Sequence, residues 1–225
     1  MSYWWLFLFV PLSYLIGNIS FGIIISKHKL KRDVRTCGSG GAGATNMFRT
    51  FGKKWGYIVF FLDIFKGAIA TMMGLLVFGT DITYSMNPMA TIADTGGQIG
   101  MFACGFAAVL GHCFPFWAKF RGGKGMATAM GVFIVVNPVI GIAGVLLAFI
   151  YGTPFGYVSV ASILSITFMV LWEGFAKNPG LVVSILLACF YVLVIIMHRK
   201  NIWRLLNECE NQTRPFKKRS KPKQS

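Results

Sequence analysis

Long apolar runs separated by short polar or basic stretches divide the chain up to about residue 206. The runs are 3–26, 55–78, 99–117, 126–151, 157–172 and 181–197. A helix needs about 20 apolar residues to cross a bilayer, and lipid-exposed backbone must satisfy its hydrogen bonds within its own segment. The pattern therefore predicts an all-α integral membrane protein.

The basic residues indicate how these runs are oriented. Of the 22 Lys and Arg, all except Lys66 and Lys177 fall within 27–54, within 119–124 or from Arg199 onward. Basic residues collect in cytoplasmic loops, so the first basic loop is expected inside and the N-terminus outside.

One span for each apolar run would leave the basic C-terminal tail outside. A bend of 126–151 at Asn137-Pro138 into two short, opposed segments returns the tail to the inside. Proline removes a helix hydrogen bond and disfavours helix at the preceding residue. We therefore expect about seven transmembrane segments, with the N-terminus outside, the C-terminus cytoplasmic and 79–97 as an outer loop. A single outward span with the tail outside is the alternative.

Composition supports a membrane protein and argues against a soluble domain and against nucleic-acid binding. Of 225 residues, 55% are hydrophobic and 13% charged, which excludes an ordinary soluble domain. We expect one membrane-embedded domain over 1–225, with a basic cytoplasmic tail from about 211. The net charge of +15 then reflects topology and contact with anionic lipid, not nucleic acid.

Two processing features are not expected from this sequence. The N-terminus lacks a basic stretch before its apolar run, so a cleaved signal peptide is not predicted. Five cysteines without C-x-x-C spacing predict reduced thiols, with no disulfide and no zinc site.

The first candidate site is the glycine-rich stretch 38–49. Four glycines in six residues can expose backbone N–H groups to an anion, and Arg49 can add a bidentate charge. An ordinary flexible loop is the alternative. Residues 38–43 also fit G-x-G-x-x-G, but a dinucleotide site needs a preceding strand and an acidic residue about 20 positions later, and neither is convincing here.

Two further polar blocks fall at the same predicted face. In 111–128, His112 lies at the end of an apolar run. A second loop of glycine and basic residues, containing Lys124, follows and precedes a predicted helix. The N-terminus of a helix is a site for an anion. In 198–210, His198 and Asn201 share one helical face. The alternatives are a helix-end histidine, a lysine that only sets topology, and an amphipathic interfacial helix.

Acidic residues are too few for several hydrolytic mechanisms. The seven Asp and Glu form no pair near the loops, which disfavours two-metal and glycosidase chemistry. Asp63 and Lys66, at i and i+3 within a span, are expected to pair with each other. Ser39 has no recognisable Ser/His/Asp set. The available groups suit holding phosphate and stabilising developing negative charge.

Three blocks carry a resemblance to a known family: "GSGGAGATNMFR", "GHCFPFWAKFRGGKGMAT" and "HRKNIWRL", with "GYVSVASI" before the sixth segment. In this order they resemble the bacterial acyl-phosphate:glycerol-3-phosphate acyltransferases, PlsY, over nearly the whole chain to Glu210. The resemblance implies transfer of a fatty acyl group from acyl phosphate to the 1-hydroxyl of glycerol 3-phosphate. The product, lysophosphatidic acid, would form at the cytoplasmic face of the bacterial membrane as the first step of phospholipid synthesis. No metal or cofactor is implied, and a functional link to the enzyme that forms acyl phosphate is expected.

Residue-by-residue matching to the family implies site roles. Catalytic roles around glycerol 3-phosphate fall on Ser39, Arg49, Lys124, His198 and Asn201. Substrate-binding roles fall on Gly40, Gly43, Thr45 and Asn46 at the acyl phosphate, and on His112, Arg121, Ser159 and Ser162 in the rest of the pocket. Two positions depart from the family: Gly41 replaces the usual Asn, so only its backbone is expected to contribute, and Arg121 replaces the common Lys.

Two other functions compete with the acyltransferase. A transporter of a phosphorylated metabolite would explain basic loops and a broken helix, but transporter sites usually lie near the midplane, often between repeats. Here the polar blocks are expected at one face, and the sequence shows no internal repeat. A non-catalytic anchor for lipid enzymes would not need glycine-rich anion loops.

Overall fold

The computed structural model describes residues 3–78, 95–177 and 179–212, and the regular secondary structure of these residues is entirely helical. The helices are α1 Leu6–Asn18, α2 Phe21–His28, α3 Ala44–Phe51, α4 Lys53–Phe78, α5 Thr95–Cys113, α6 Met126–Val136, α7 Pro138–Phe155, α8 Val158–Leu171 and α9 Leu181–Leu206. Short 3-10 turns occur at Tyr3–Trp5, Val34–Thr36 and Phe116–Ala118, and a π-helical turn, Trp172–Ala176, extends α8. The predicted all-α class is confirmed.

Five stretches of the described chain are long and apolar enough to cross a membrane. They are Leu6–His28, Lys53–Phe78, Gly97–Ala118, Val158–Ala176 and Leu181–Leu206. The shorter apolar helices are Met126–Val136 and Pro138–Gly152. Large apolar side chains such as Phe7, Phe65 and Leu76 face outward, which suits lipid and not water. The protein is an all-helical membrane protein.

The first apolar run contains a break between two helices, which the sequence analysis did not predict. Helix α1 ends at Asn18, Ile19 adopts ψ 95°, and α2 begins at Phe21. Polar groups at the break form hydrogen bonds with other elements of the fold. The Asn18 side-chain oxygen accepts the N–H of Phe116, and the carbonyl of Ile19 accepts from Lys66 Nζ, both at 2.8 Å. These contacts fix the break against α4 and the loop after α5.

The run 126–151 breaks where the sequence predicts. Helix α6 ends at Val136 and α7 begins at Pro138, with Asn137 extended at φ −152°. Asn137 Oδ1 accepts the N–H of Ile140 in the first turn of α7, and Nδ2 donates to Glu173 Oε1 at 2.8 Å. The bend is therefore capped by its own asparagine and tied to the π-helical turn after α8.

Helix α6 occupies the centre of the bundle. Phe133 of α6, Phe102 of α5 and Phe190 of α9 pack edge to face, with ring centroids 5.9 to 6.3 Å apart. On another side, Gly131 touches the backbone of α4 at Ile64, so closely that any side chain would collide there. Small residues of this kind allow membrane helices to pack tightly. The start of α6, next to Lys124, is held by this core.

Two sequence-based expectations fall largely outside the described residues. The proposed outer loop 79–97 is described only from residue 95, and the basic tail only as far as residue 212.

Candidate active site

The first glycine loop is shaped by one buried asparagine. Asn46 Oδ1 accepts the N–H of Ser39 at 2.9 Å, and Asn46 Nδ2 lies within 2.8 to 3.0 Å of the carbonyl oxygens of Val34, Cys37 and Gly41. Gly38 adopts φ +57°, where glycine is favoured, and a side chain there would also collide with Asn46. The side chain of Asn46 is thus occupied in holding the loop.

Several backbone donors of this loop are already used within the protein. The N–H of Gly40 donates to the Cys37 carbonyl at 3.0 Å, and the N–H of Ala42 donates to the Gly122 carbonyl at 3.3 Å. With Ser39 N–H bonded to Asn46, the expected open cradle is reduced. The anion donors that face the cavity are better supplied by the first turn of α3, at Ala44 and Thr45, whose N–H groups have no partner earlier in the helix.

The second glycine loop lies beside the first. Gly122 and Gly123 donate their N–H groups to the carbonyls of Cys113 and His112, each at 3.1 Å, so the chain folds back onto the end of α5. Gly125 then adopts φ +83° and leads into α6. Because Ala42 bonds to Gly122, the two loops form one surface, with Lys124 and the start of α6 at its edge.

A chain of charged and polar side chains connects this surface to α8 and α9. Lys124 Nζ donates to Asn201 Oδ1 at 2.5 Å, and Asn201 Nδ2 donates to Glu210 Oε1 at 2.6 Å. The same carboxylate accepts from Ser159 Oγ at 3.1 Å and from Arg204 Nε at 2.8 Å. These bonds fix the Asn201 amide with its oxygen toward Lys124 and its nitrogen toward Glu210.

The segment after α9 returns over the site. The chain turns at Glu208, with φ +56°, and residues 209–212 run back across α3 and α8. Arg49 Nη2 donates to the Asn211 carbonyl, and Gln212 Nε2 donates to the Tyr157 hydroxyl, both at 2.7 Å. We call residues 209–212 the C-terminal segment.

Burial and neighbouring charge change the ionisation of the site. Burial lowers the pKa of Lys124 to about 8; the Glu210 carboxylate opposes this decrease, and the positive charges of Arg49 and Arg204 add to it. Burial alone would raise the pKa of Glu210, but hydrogen bonds from Arg204 and Asn201 bring that pKa below its ordinary value. A titratable lysine therefore lies near a carboxylate that stays ionised.

His198 presents a defined ring nitrogen to the site. Its Nδ1 lies 2.8 Å from the carbonyl oxygen of Val194, one turn earlier in α9. A carbonyl only accepts, so Nδ1 carries the proton and Nε2 of the neutral ring is an acceptor. His198 can thus receive a hydrogen bond from a hydroxyl in the cavity.

These residues surround a cavity of about 180 Å³. Its polar end is lined by Ser39, Thr45, Arg49, His112, Lys124, Ser159, Ser162, His198 and Asn201. Its apolar end is lined by Tyr57, Phe60, Met126, Met130, Ala148 and Phe149. The arrangement suits a ligand that has an anionic head and an apolar chain.

Aromatic side chains close the apolar end between α4 and α7. Tyr57 stacks on Phe149 at 6.4 Å between ring centroids, and Phe60 meets Phe149 edge to face at 5.5 Å. Phe48 of α3 packs edge to face on Tyr57 at 5.6 Å. We call Phe48, Tyr57, Phe60 and Phe149 the aromatic wall. Tyr57 is 37% exposed and also lines the cavity, so the wall lies between the cavity and the outer surface of the helix bundle.

Comparison with known proteins shows the family to which the chain belongs. The profile of the family described as "Glycerol-3-phosphate acyltransferase" matches residues 7–208. The chain belongs to the glycerol-3-phosphate acyltransferase family. It is 38% identical over 202 residues to "Glycerol-3-phosphate acyltransferase 2" of Bacillus anthracis, covering 89% of this chain and 95% of the relative. It is 40% identical over 195 residues to "Glycerol-3-phosphate acyltransferase" of Staphylococcus aureus (strain JH9), covering 86% and 91%.

Solved structures resemble the acyltransferase over nearly its full length. A crystal structure of PlsY, described as an integral membrane glycerol 3-phosphate acyltransferase in its glycerol 3-phosphate form, has a TM-score of 0.78 and 36% identity. The match covers 92% of this chain and 95% of the PlsY chain. The lysophosphatidic acid form of PlsY gives a TM-score of 0.76 and 35% identity, covering 93% and 96%. The predicted PlsY family is confirmed.

The fold of the acyltransferase brings most of the expected site residues together. Eleven of them line the cavity: Ser39, Gly43, Thr45, Asn46, Arg49, His112, Lys124, Ser159, Ser162, His198 and Asn201. Gly40 and Arg121 do not line it. Gly40 adopts φ +73° within the first glycine loop, and Arg121 is exposed three residues after the 3-10 turn Phe116–Ala118.

The structure adds residues that the sequence analysis left out of the site. Glu210 joins three of the bonds described above, and Tyr57, Phe60 and Phe149 build the apolar end. Glu210 ends the polar block 198–210, but its distance from Asn201 along the chain gives no local reason to expect the two side chains to meet. The aromatic wall had no local signal either, because its members come from separate apolar runs.

The expected pairing of Asp63 with Lys66 is confirmed. Lys66 Nζ lies 2.8 Å from Asp63 Oδ1, and both side chains are buried. Among the residues that the structure describes, no group of three or more His, Cys, Asp or Glu side chains is arranged to hold a metal ion.

Proposed function

We propose that this acyltransferase moves a fatty acyl group from acyl phosphate to the 1-hydroxyl of glycerol 3-phosphate, forming lysophosphatidic acid in the first step of phospholipid synthesis. The observation that carries the proposal is a single cavity lined both by the cationic side chains of Arg49 and Lys124 and by the aromatic wall. The two PlsY structures are described as glycerol 3-phosphate and lysophosphatidic acid forms, a substrate and a product of such a reaction. A functional link to an enzyme that makes acyl phosphate follows from the donor.

Direct attack fits the groups at the polar end. The glycerol hydroxyl would donate to His198 Nε2, with Ser39 and Asn201 nearby to hold the polyol. Its oxygen attacks the acyl carbonyl carbon, the bond from that carbon to the phosphate oxygen breaks, and the leaving phosphate takes the proton. Arg49, Lys124 and the start of α3 stabilise the phosphate charge, while Gly43 and Thr45 border the donor. A mixed anhydride is already activated, so positioning and charge stabilisation are sufficient.

The first prediction concerns the reaction itself. Purified protein given palmitoyl phosphate and labelled glycerol 3-phosphate should form lysophosphatidic acid in the presence of EDTA, because the proposed contacts use side chains and backbone only. Labelled product is separated by chromatography. Failure with every acyl phosphate would contradict the donor assignment, and activity abolished by EDTA and restored by Mg²⁺ would contradict the metal-free mechanism.

The second prediction concerns pH. Lys124 must be protonated to hold phosphate, and burial lowers its pKa to about 8. We expect kcat/KM for glycerol 3-phosphate to be high below this pKa and to decrease as pH rises through it, toward a tenfold loss per pH unit. Lys124→Arg should move the decrease to higher pH, since arginine stays charged. An unchanged alkaline limb in Lys124→Arg would assign the titration to another group.

We further propose seven transmembrane segments in one domain over 1–225, with the N-terminus outside and the site and basic tail on the cytoplasmic face. The charge distribution and the break at Asn137 support this topology, and five long plus two short apolar helices provide the required number of segments. The short helix α6 is mostly covered by neighbouring helices, which suits a segment too short to cross lipid alone.

The third prediction tests this topology in intact cells. After Cys189 and Cys209, the exposed cysteines of the described residues, are replaced, single cysteines are introduced at Thr153, after Arg214 and at Ser85. An impermeant thiol reagent should label only the cysteine at Ser85, in the proposed outer loop. Ready labelling at Thr153 or in the tail of intact cells would show that the orientation is wrong, provided that both positions react after lysis.

A further inference from the structure

A buried ammonium group lies directly beneath the site. Lys66 of α4 is 2% exposed, and its Nζ lies 2.8 Å from each of three acceptors: the Ile19 carbonyl, His112 Nδ1 and Asp63 Oδ1. An ammonium group has three N–H donors and no lone pair. Lys66 Nζ is hydrogen-bonded to the Ile19 carbonyl and to His112 Nδ1, and the Asp63 carboxylate, as an ion-pair partner, compensates the charge.

This arrangement determines where His112 carries its proton. Because Lys66 donates to Nδ1, that nitrogen must present its lone pair. A doubly protonated ring would place two donors face to face at 2.8 Å, so the imidazolium form is excluded as well. Asp63 Oδ1 is 3.3 Å from the same nitrogen, farther than Lys66 Nζ. His112 is consequently a neutral ring with its proton on Nε2.

The other side of the ring faces the substrate cavity. His112 lines the cavity, and its Nε2 lies against the Cα of Gly123 in the second glycine loop, where any side chain would collide with it. Within the described part of the chain, the one hydrogen bond of the His112 ring is made by Nδ1. A donor is thus aimed at the loop where the substrate anion is expected, and glycine at position 123 leaves it accessible.

We propose that Lys66 is a positioning residue that holds His112 as a permanent Nε2–H donor to an anionic substrate oxygen at the second glycine loop. This inference rests on the proposed function. The two cavity histidines then have opposite roles, because His198 is held by a carbonyl with its Nε2 as an acceptor. His198 can receive the hydrogen bond of the glycerol hydroxyl, while His112 donates to negative charge on the phosphate or the acyl oxygen.

The tautomer can be measured without any assay of activity. The chain has three histidines, so ¹⁵N-histidine labelling of the full-length protein in lipid nanodiscs gives few signals, assigned with His28→Asn and His198→Asn. We expect His112 to show a protonated Nε2 and an unprotonated Nδ1, and His198 the reverse. A His112 ring protonated at Nδ1, or at both nitrogens, would overturn the proposal.

A matched pair of variants tests whether the Nε2 proton matters. The amide nitrogen of Gln can approximate Nε2 of histidine, whereas that of Asn reaches only as far as Nδ1. We expect His112→Asn to lower kcat/KM by about 10- to 100-fold, the size of a charge-assisted hydrogen bond, and His112→Gln to retain most of the activity. Equal kinetics in the two variants, while the wild type is active, would refute donation from Nε2. An inactive wild type would instead contradict the proposed function.

A double-mutant cycle separates positioning from a purely structural role of Lys66. Because Lys66→Met alone would leave the Asp63 carboxylate buried and unpaired, it is combined with Asp63→Asn. If Lys66 acts through His112, this pair of changes should reduce kcat/KM in the wild type by about tenfold but by less than about twofold in His112→Asn. Equal reductions in both backgrounds would show that Lys66 only supports the fold, through the Ile19 carbonyl at the α1–α2 break.

Discussion

Lys124→Ala is expected to reduce acyl transfer severely while the protein remains folded. The variant loses a charge-assisted phosphate contact worth about 1.5–3 kcal/mol, which corresponds to about 10- to 150-fold in kcat/KM, with a larger loss if the contact strengthens in the transition state. It also removes the donor that holds Asn201 Oδ1, so the amide can rotate away from the polyol. Part of the effect should appear as a raised KM for glycerol 3-phosphate.

A nearby lysine provides the control for this variant. Lys119 is exposed five positions earlier in the same basic region, and Lys119→Ala should leave the kinetics close to wild type. Arg49→Ala should behave like Lys124→Ala, because Arg49 lines the same end of the cavity. Kinetics are measured on purified, monodisperse protein over a range of glycerol 3-phosphate concentrations. If Lys124→Ala matched Lys119→Ala, Lys124 would have only a topological role.

Glu210→Ala should lower both activity and stability. The carboxylate is buried and accepts from Ser159, Asn201 and Arg204, so its removal leaves three donors unpaired and one cation without its partner. Breaking a buried ion pair costs about 3–5 kcal/mol, and the lower end is expected here because Arg204 is partly exposed. The C-terminal segment should detach, and Asn201 should lose its fixed orientation.

The measurements are thermal unfolding and kcat for the same preparations. Glu208→Gln is the matched control for the charge, since Glu208 lies two residues earlier and is exposed, and glutamine keeps a side chain of the same length at the turn. Glu210→Gln should be intermediate, because its amide oxygen can still accept from Asn201 while the charge is lost. Stability and kcat equal to wild type in Glu210→Ala would show that the C-terminal segment is not needed to build the site.

Local spacing was sufficient to predict some parts of the site. His198 and Asn201 share a face because they are three positions apart on a helix, and the structure places both in the cavity. The bend at Asn137 was predictable because proline acts on its own helix. Asn46 was expected to bind the acyl phosphate, but its amide is hydrogen-bonded to the loop backbone, an arrangement that depends on how residues 34–41 fold around it.

Long-range contacts were the part that the sequence did not reveal. The break after Asn18 contains no proline and is stabilised by Lys66, 47 positions from Ile19, and by the chain at Phe116. Lys66 was expected to pair with Asp63, and does, but its third partner, His112, is 46 positions away. Glu210 reaches the site only because Glu208 turns the chain with a positive φ that no local rule predicts for glutamate.

The aromatic wall has a consequence for how the enzyme senses its substrates. The wall lies between the cavity and the outer surface of the helix bundle. Under the proposed function, a donor with an acyl chain would come from the bilayer, whereas glycerol 3-phosphate would come from water. The occupancy of the two ends then follows two different quantities: the mole fraction of acyl phosphate among the lipids, and the bulk concentration of the polyol. If the membrane area grew faster than acyl phosphate was made, the proposed donor would be diluted in two dimensions, and synthesis would slow without any change in cytoplasmic concentrations. The rate of the proposed reaction would thereby depend on membrane area.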